Sequence, residues 1–210
     1  MKTLLVLDTS PRQDAVSRQL TSRFIDKMSA QFPGARIVHR DIGANPPAHI
    51  DDELIDALRR EPETLSARQK AARAASDQMI AEMKDADAIV IGAPMHNFTI
   101  SGALRTWIDH VARPGKTFGY DPETGPMGLL DDKPVFVLST RGGKYGDGDP
   151  ENPNPADFQS GYLRHILGFM GLKDVRIIAA NGMDMGPEPR AEGLAAANDK
   201  IDSAISALAA

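Results

Sequence analysis

Residues 88–100 read Ala88-Ile89-Val90-Ile91-Gly92-Ala93-Pro94-Met95-His96-Asn97-Phe98-Thr99-Ile100. The first four form an apolar run without polar alternation, as in a strand covered on both faces. Gly92-Ala93-Pro94 closes the run. Leu104, Trp107, Ile108 and Val111 then follow at i, i+3, i+4 and i+7, the spacing of an amphipathic helix. A strand, a Pro-led loop and a helix in that order predict one arm of a βαβ unit.

The same grammar extends outward in both directions. Leu4–Leu7, Val135–Leu138 and Val175–Ala179 are further unbroken apolar runs, whereas Ile37–Val38 lies in an alternating segment that reads as an edge strand. Between them, Leu20, Phe24 and Met28 recur at four-residue spacing behind a candidate N-cap, Ser17. Helical periodicity also marks Ser66–Met83, Phe158–Met170 and Glu192–Ala209. Alternating strands and helices predict an α/β fold with right-handed crossovers on a parallel sheet. One domain is expected over residues 1–210. Segments 40–65, 113–133 and 147–155 break the pattern; the first contains Asn45-Pro46-Pro47 and a weakly helical charged stretch. Loops of such length are often functional lids.

Composition narrows the chemistry. The chain has 210 residues, 41% of them hydrophobic, and a formal charge of −5. That balance argues against nucleic acid as the main partner. With no cysteine, disulfides, thiolate nucleophiles and Cys-ligated metals are excluded. The five histidines show no ligand spacing, so no metal is expected. No stretch reaches the roughly 18–20 apolar residues of a membrane span, and a cytoplasmic protein is expected.

Ligands of open α/β sheets bind beyond the carboxyl ends of the strands, and three strand ends here carry distinctive loops. Asp8 to Ser17 holds three hydroxyls before a helix, suiting either a phosphate site or a serine-rich turn with a cap. Asp8 itself reads as a turn cap or as the partner of a neighbouring backbone N–H. In Gly92–Ile100, a flat heterocycle could rest against Met95, His96, Asn97 and Phe98; alternatively Met95 and Phe98 fill the core. In Ser139-Thr140-Arg141-Gly142-Gly143, paired glycines permit close backbone approach, or form a plain turn with Arg141 at the surface.

Taken together, these segments resemble the bacterial FMN-dependent NADH:quinone oxidoreductases, also called azoreductases. The resemblance covers almost the whole chain. It rests on Ser10 and Ser17, Asn45-Pro46-Pro47, Leu65–Gln69, Ala93–Phe98, Val111–Phe118, Ser139–Gly143, Tyr162-Leu163 and Leu167–Gly171. It implies a flavodoxin-like, doubly wound five-stranded parallel sheet in the order 2-1-3-4-5, with helices on both faces. It further implies a homodimer with non-covalent FMN at each subunit boundary. Electrons would pass from NADH or NADPH through flavin N5 to quinone or azo acceptors by a ping-pong mechanism.

The cofactor residues so implied are Ser10, Val16, Ser17 and Arg18 for the phosphate, Met95, His96, Asn97 and Phe98 for the flavin and ribityl, and Thr140, Arg141, Gly142 and Gly143 for the pyrimidine edge. His96 and Asn97 are the candidate catalytic side chains. Phe118, Tyr120, Lys144 and Tyr162 are expected around the acceptor. The sequence departs from the family at His96, often Tyr, and at Lys144, commonly His, both beside the expected acceptor pocket. Two other readings remain: a same-fold reductase of nitro compounds or chromate, and a flavodoxin-type electron carrier acting through protein partners. A receiver-type domain fits poorly, since only Asp8 follows the first strand.

Overall fold

The computed structural model describes residues 1–58 and 64–209. Five strands, β1 (Thr3–Asp8), β2 (Arg36–Asp41), β3 (Ala88–Pro94), β6 (Val135–Thr140) and β7 (Val175–Ala180), form one sheet in the order β2-β1-β3-β6-β7. Every pairing is parallel. Counted along the chain this is the expected order 2-1-3-4-5. The strands end together, with Asp8 beside Gly92, Pro94 beside Thr140 and Thr140 beside Ala180. The loops that follow therefore open onto one edge of the sheet.

The unbroken apolar runs are explained by two separate cores. Leu4, Val6, Val90, Phe136, Leu138 and Ile178 face α1 (Val16–Gln31) and α6 (Pro187–Ala209). Leu5, Leu7, Ile89, Ile91, Val135 and Val137 face α3 (Ala67–Asp85), α4 (Gly102–Val111) and α5 (Phe158–Phe169). Each strand residue meets a helix on whichever side it points, so polar alternation has no place. Trp107 lies in the second core, 1% exposed. Edge strand β2 keeps partly exposed positions, as its alternation predicted.

Helix starts follow local chemistry. A capping box joins Ser66 to Gln69 at α3. Ser101 Oγ accepts from Leu104 N–H at α4, and Asp157 accepts from Ser160 N–H at α5. At α1 the expectation fails. Ala15, not Ser17, is the N-cap residue, and no side chain caps the helix.

Two irregular segments hold regular structure, a hairpin that propensity hid and a short helix in the weakly helical stretch. Residues 113–133 include an antiparallel hairpin, β4 (Phe118–Asp121) with β5 (Gly125–Gly128). Gly and Pro mask its strands, but Asp121 Oδ1 accepts from the amides of Glu123 and Thr124 and fixes the turn. Thr117 anchors the hairpin's base by donating to Val111 O at 2.6 Å. Within 40–65, Asp51 caps the short helix α2 (Asp52–Ala57); positions 59–63 of that segment lie outside the described residues.

Candidate functional site

A crevice of about 370 Å³ opens at the carboxyl edge of the sheet. It gathers Ser10, Ala15 and Val16 from the β1–α1 loop, Pro94, Met95 and His96 from the β3–α4 loop, and Thr140, Arg141 and Gly142 from the β6–α5 loop. The three loops singled out by sequence thus converge on one space.

The β1–α1 loop is built to receive an anion. The amides that open helix α1 lack an i−4 carbonyl within the helix, and no side chain caps them. Its dipole adds positive potential at that end. Ser17 Oγ is buried and without a hydrogen-bond partner among the described residues. An orphaned hydroxyl in a residue 1% exposed is costly unless a ligand completes it. Of the other loop hydroxyls, Thr9 Oγ1 donates to Gly92 O, whereas Ser10 Oγ accepts from Arg12 N–H and keeps its own proton to donate. Asp8 binds side chains instead of capping a turn or pairing with a backbone N–H. Its carboxylate accepts from Thr21 Oγ1 at 2.7 Å and lies 2.8 Å from His39 Nε2.

Arg18 departs from the expected role of phosphate contact. It does not line the crevice; its guanidinium grips Asp41 in a bidentate pair and donates to the carbonyls of Ser10 and Arg12. The hydrogen bond from Arg18 holds the Asp41 carboxyl below its ordinary range, against the opposing pull of partial burial.

The β3–α4 loop carries backbone strain. His96 and Thr99 exchange both amide–carbonyl bonds, at 2.9 and 3.0 Å, around a two-residue turn. Asn97 and Phe98 occupy it with φ of 48° and 69°. Asn tolerates that region, whereas a Phe there costs roughly 1–2 kcal/mol. Phe98 does not fill the core: it is 47% exposed and meets the Tyr145 ring edge-on at 5.7 Å. Asn97 and Phe98 stand beside the crevice without lining it.

Arg141 is the reverse of a surface ion-pair partner. It is 0% exposed. Its guanidinium donates to Ser139 Oγ, Ser160 Oγ and the carbonyls of Tyr145 and Gly146, and pairs with Asp157 at 2.9 Å. Burial pulls its pKa below the usual arginine value, and Asp157 opposes that shift. The side chain therefore shapes the loop from beneath. The carbonyls of Arg141, Gly142 and Gly143 accept from the amides of Met183, Asp184 and Gly182, and the amides of the two glycines take no part in that ladder.

The β7–α6 loop was not anticipated. Met183 and Asp184, with Arg190 from α6, also line the crevice. Arg12 and Asp14, also outside the expected set, form an exposed pair at the rim. No local signal marks residues 182–190; they reach the site only because α6 packs beside α1 on the same face.

Within one chain the expected acceptor residues stay outside the crevice. Phe118 rests on Phe169 at 4.6 Å between ring centroids. Tyr120 is 77% exposed on the hairpin. Tyr162 lies under the Arg105 guanidinium, and burial raises its phenol pKa. Lys144 points to Glu192 on α6, 3.8 Å away.

The sequence from residue 2 to 205 matches the family described as flavodoxin-like fold. The chain belongs to that family. Its flavodoxin-like relatives include proteins named FMN-dependent NADH:quinone oxidoreductase. The one from Azospirillum brasilense is 44% identical over 202 residues, covering 95% of this chain and 96% of the relative. That from Hyphomonas neptunium is also 44% identical, covering 96% and 94%. A solved flavodoxin-like neighbour, the azoreductase from Bacillus anthracis strain Sterne, superposes with a TM-score of 0.85 at 27% identity, covering 98% of this chain and 99% of that one. The resemblance read from the sequence holds over the full length.

Proposed function

We propose that the chain is an FMN-dependent oxidoreductase taking electrons from NADH or NADPH and passing them to quinone and azo acceptors. The observation that carries this reading is the uncapped start of α1, whose Ala15 and Val16 line a crevice walled by two further loops, with the unpartnered Ser17 hydroxyl buried next to them in the chain. A phosphate monoester supplies the acceptor oxygens that this end of the crevice needs. The names of the relatives, at about 44% identity, support the same cofactor.

Bound FMN would supply the redox chemistry, accepting two electrons from a reduced nicotinamide and, once that has left, returning them to an acceptor. The protein's part is position and electrostatics. Ser10, Val16 and Ser17 would hold the phosphate. Pro94, Met95 and His96 would give the ring system a rigid wall, stiffened by the His96–Thr99 bonds. The Gly142 and Gly143 amides would donate to negative charge at the pyrimidine edge. Lys144, an exposed side chain that points to Glu192 in one chain, would add positive charge at the rim, and His96 would shape the pocket.

The functional unit in this reading is a homodimer with the acceptor pocket at the subunit boundary, the whole chain forming one domain per subunit. Its support is exposed apolar surface: Tyr120, Met127 and Leu129 around the hairpin, with Phe98 and Phe158. In a dimer Phe118, Tyr120 and Tyr162 would complete a partner's site.

The test is an absorption spectrum of the purified protein before and after anaerobic NADH. Flavin bands near about 370 and 450 nm that bleach are expected. Bands that persist with both NADH and NADPH would favour an electron carrier, and failure to take up FMN would remove the proposal. Among acceptors, turnover of nitro compounds or chromate with neither quinone nor azo dye would select the same-fold alternative.

A further inference from the structure

We propose that Arg18 is a positioning residue that draws the β1–α1 loop into its anion-receiving shape, instead of a ligand of the anion itself. The inference rests on the FMN reading above. Four of the five N–H groups of a guanidinium are committed: Nε to Arg12 O at 2.9 Å, Nη2 to Ser10 O at 2.7 Å, and Nη1 and Nη2 to the two Asp41 oxygens at 2.8 and 2.6 Å. The remaining side of Nη1 faces Asp8 Oδ2 at 3.7 Å.

This staple has two physical consequences. A carbonyl facing a phosphate repels it, so holding the Ser10 and Arg12 carbonyls on the guanidinium keeps their negative ends away from the anion. It also screens the anion from two carboxylates. Asp8 and Asp41 are the acidic groups behind the loop, and Asp8 is itself gripped by Thr21 and His39. Asp41 fixes Arg18 from the β2 side and accepts from Ala44 N–H at 2.9 Å, so the staple joins the ends of β1 and β2. Only a planar fork reaches two carbonyls and a carboxylate together; an ammonium supplies the charge without that span.

The test measures dissociation constants of FMN and riboflavin, which lacks the phosphate, by flavin-fluorescence quenching on the apoprotein of the full chain. Arg18→Lys is expected to weaken FMN about tenfold while riboflavin stays within about twofold. Asp41→Asn, which loosens the fork but leaves Arg18 in place, is expected to weaken FMN in the same direction. Unchanged FMN affinity in Arg18→Lys would mean that charge alone suffices and overturns the proposal. Tighter FMN binding in Asp41→Asn would mean a freed Arg18 reaches the phosphate, and overturns it too. A parallel loss of both ligands would reduce Arg18 to general support of the fold. The wild-type titration separates the two levels: wild type that does not bind FMN refutes the cofactor reading, whereas wild type that binds it beside unaffected variants refutes only the staple.

Discussion

Replacing Gly43 with alanine puts a methyl group where the end of β2 crosses the phosphate loop. The added carbon would stand 2.0 Å from Ser10 O, 2.5 Å from Ser10 C and 3.0 Å from Ser10 N. A carbon approaches a carbonyl oxygen no closer than about 3.3 Å, so the two backbones must part by roughly 1.3 Å. All three obstacles are backbone atoms, not a side chain that can swing away. Separation also breaks the 2.9 Å bond from Gly43 N–H to Asp8 O. Overpacking costs about 1–3 kcal/mol and a lost hydrogen bond about 1 kcal/mol, giving about 3 kcal/mol in all. For a chain of this size that lowers Tm by about 6–12 °C. Because Ser10 is the displaced residue, FMN affinity should fall at least about tenfold, the loss of one charge-assisted hydrogen bond. The assay is thermal unfolding followed by circular dichroism, with FMN titrated separately. Gly161→Ala serves as the control: nothing lies within 4 Å of its added methyl, and a glycine inside α5 replaced by alanine gains about 0.5–1 kcal/mol. A Gly43→Ala protein that melts with wild type and binds FMN equally would refute the close-approach argument.

Ser17→Ala should weaken FMN about tenfold while leaving the apoprotein's Tm unchanged or slightly raised, because it deletes a buried hydroxyl without a partner; a clear drop in apoprotein Tm would contradict the orphan assignment. Arg141→Met leaves Asp157 buried without its cation and should cost about 3–5 kcal/mol, partly recovered by adding Asp157→Asn; denaturant unfolding of the single and double variants gives the comparison. Asp41 has its carboxyl pKa lowered by Arg18, so its contribution to stability is present above the ordinary Asp value of about 3.9 and is lost as pH falls through the lower folded value. Melting temperatures taken down from about pH 6 to 3 should therefore fall less for Asp41→Asn than for wild type, and parallel curves would count against the pair.

Strand positions in this chain were legible because a doubly covered parallel strand has no polar face, so Leu4–Leu7, Ala88–Ile91 and Val135–Leu138 declare themselves without any partner in view. The hairpin at Phe118–Gly128 was hidden for the opposite reason. Its residues have weak strand propensity, and pairing across an Asp121 turn supplies what propensity lacks. The cap of α1 was misplaced because Ser17 looks like a capping residue by type, while the structure places it inside the helix with its hydroxyl buried and unpartnered among the described residues.

Sequence alone determined the alternation of strands and helices, the edge character of β2, and the three loops that meet at the carboxyl edge of the sheet. Those features follow from local periodicity and from turn residues, which act within a few positions of one another. Only the tertiary structure decided where each charged side chain is used. Arg18 and Arg141 looked like ligands or surface residues, but both guanidinium groups turn inward to carbonyls and carboxylates contributed by other elements. The entry of Met183, Asp184 and Arg190 into the crevice was likewise a tertiary outcome, set by α6 packing beside α1. A long flexible side chain carries no periodic signal of its direction; the partners that fix it are brought near only when the sheet has closed.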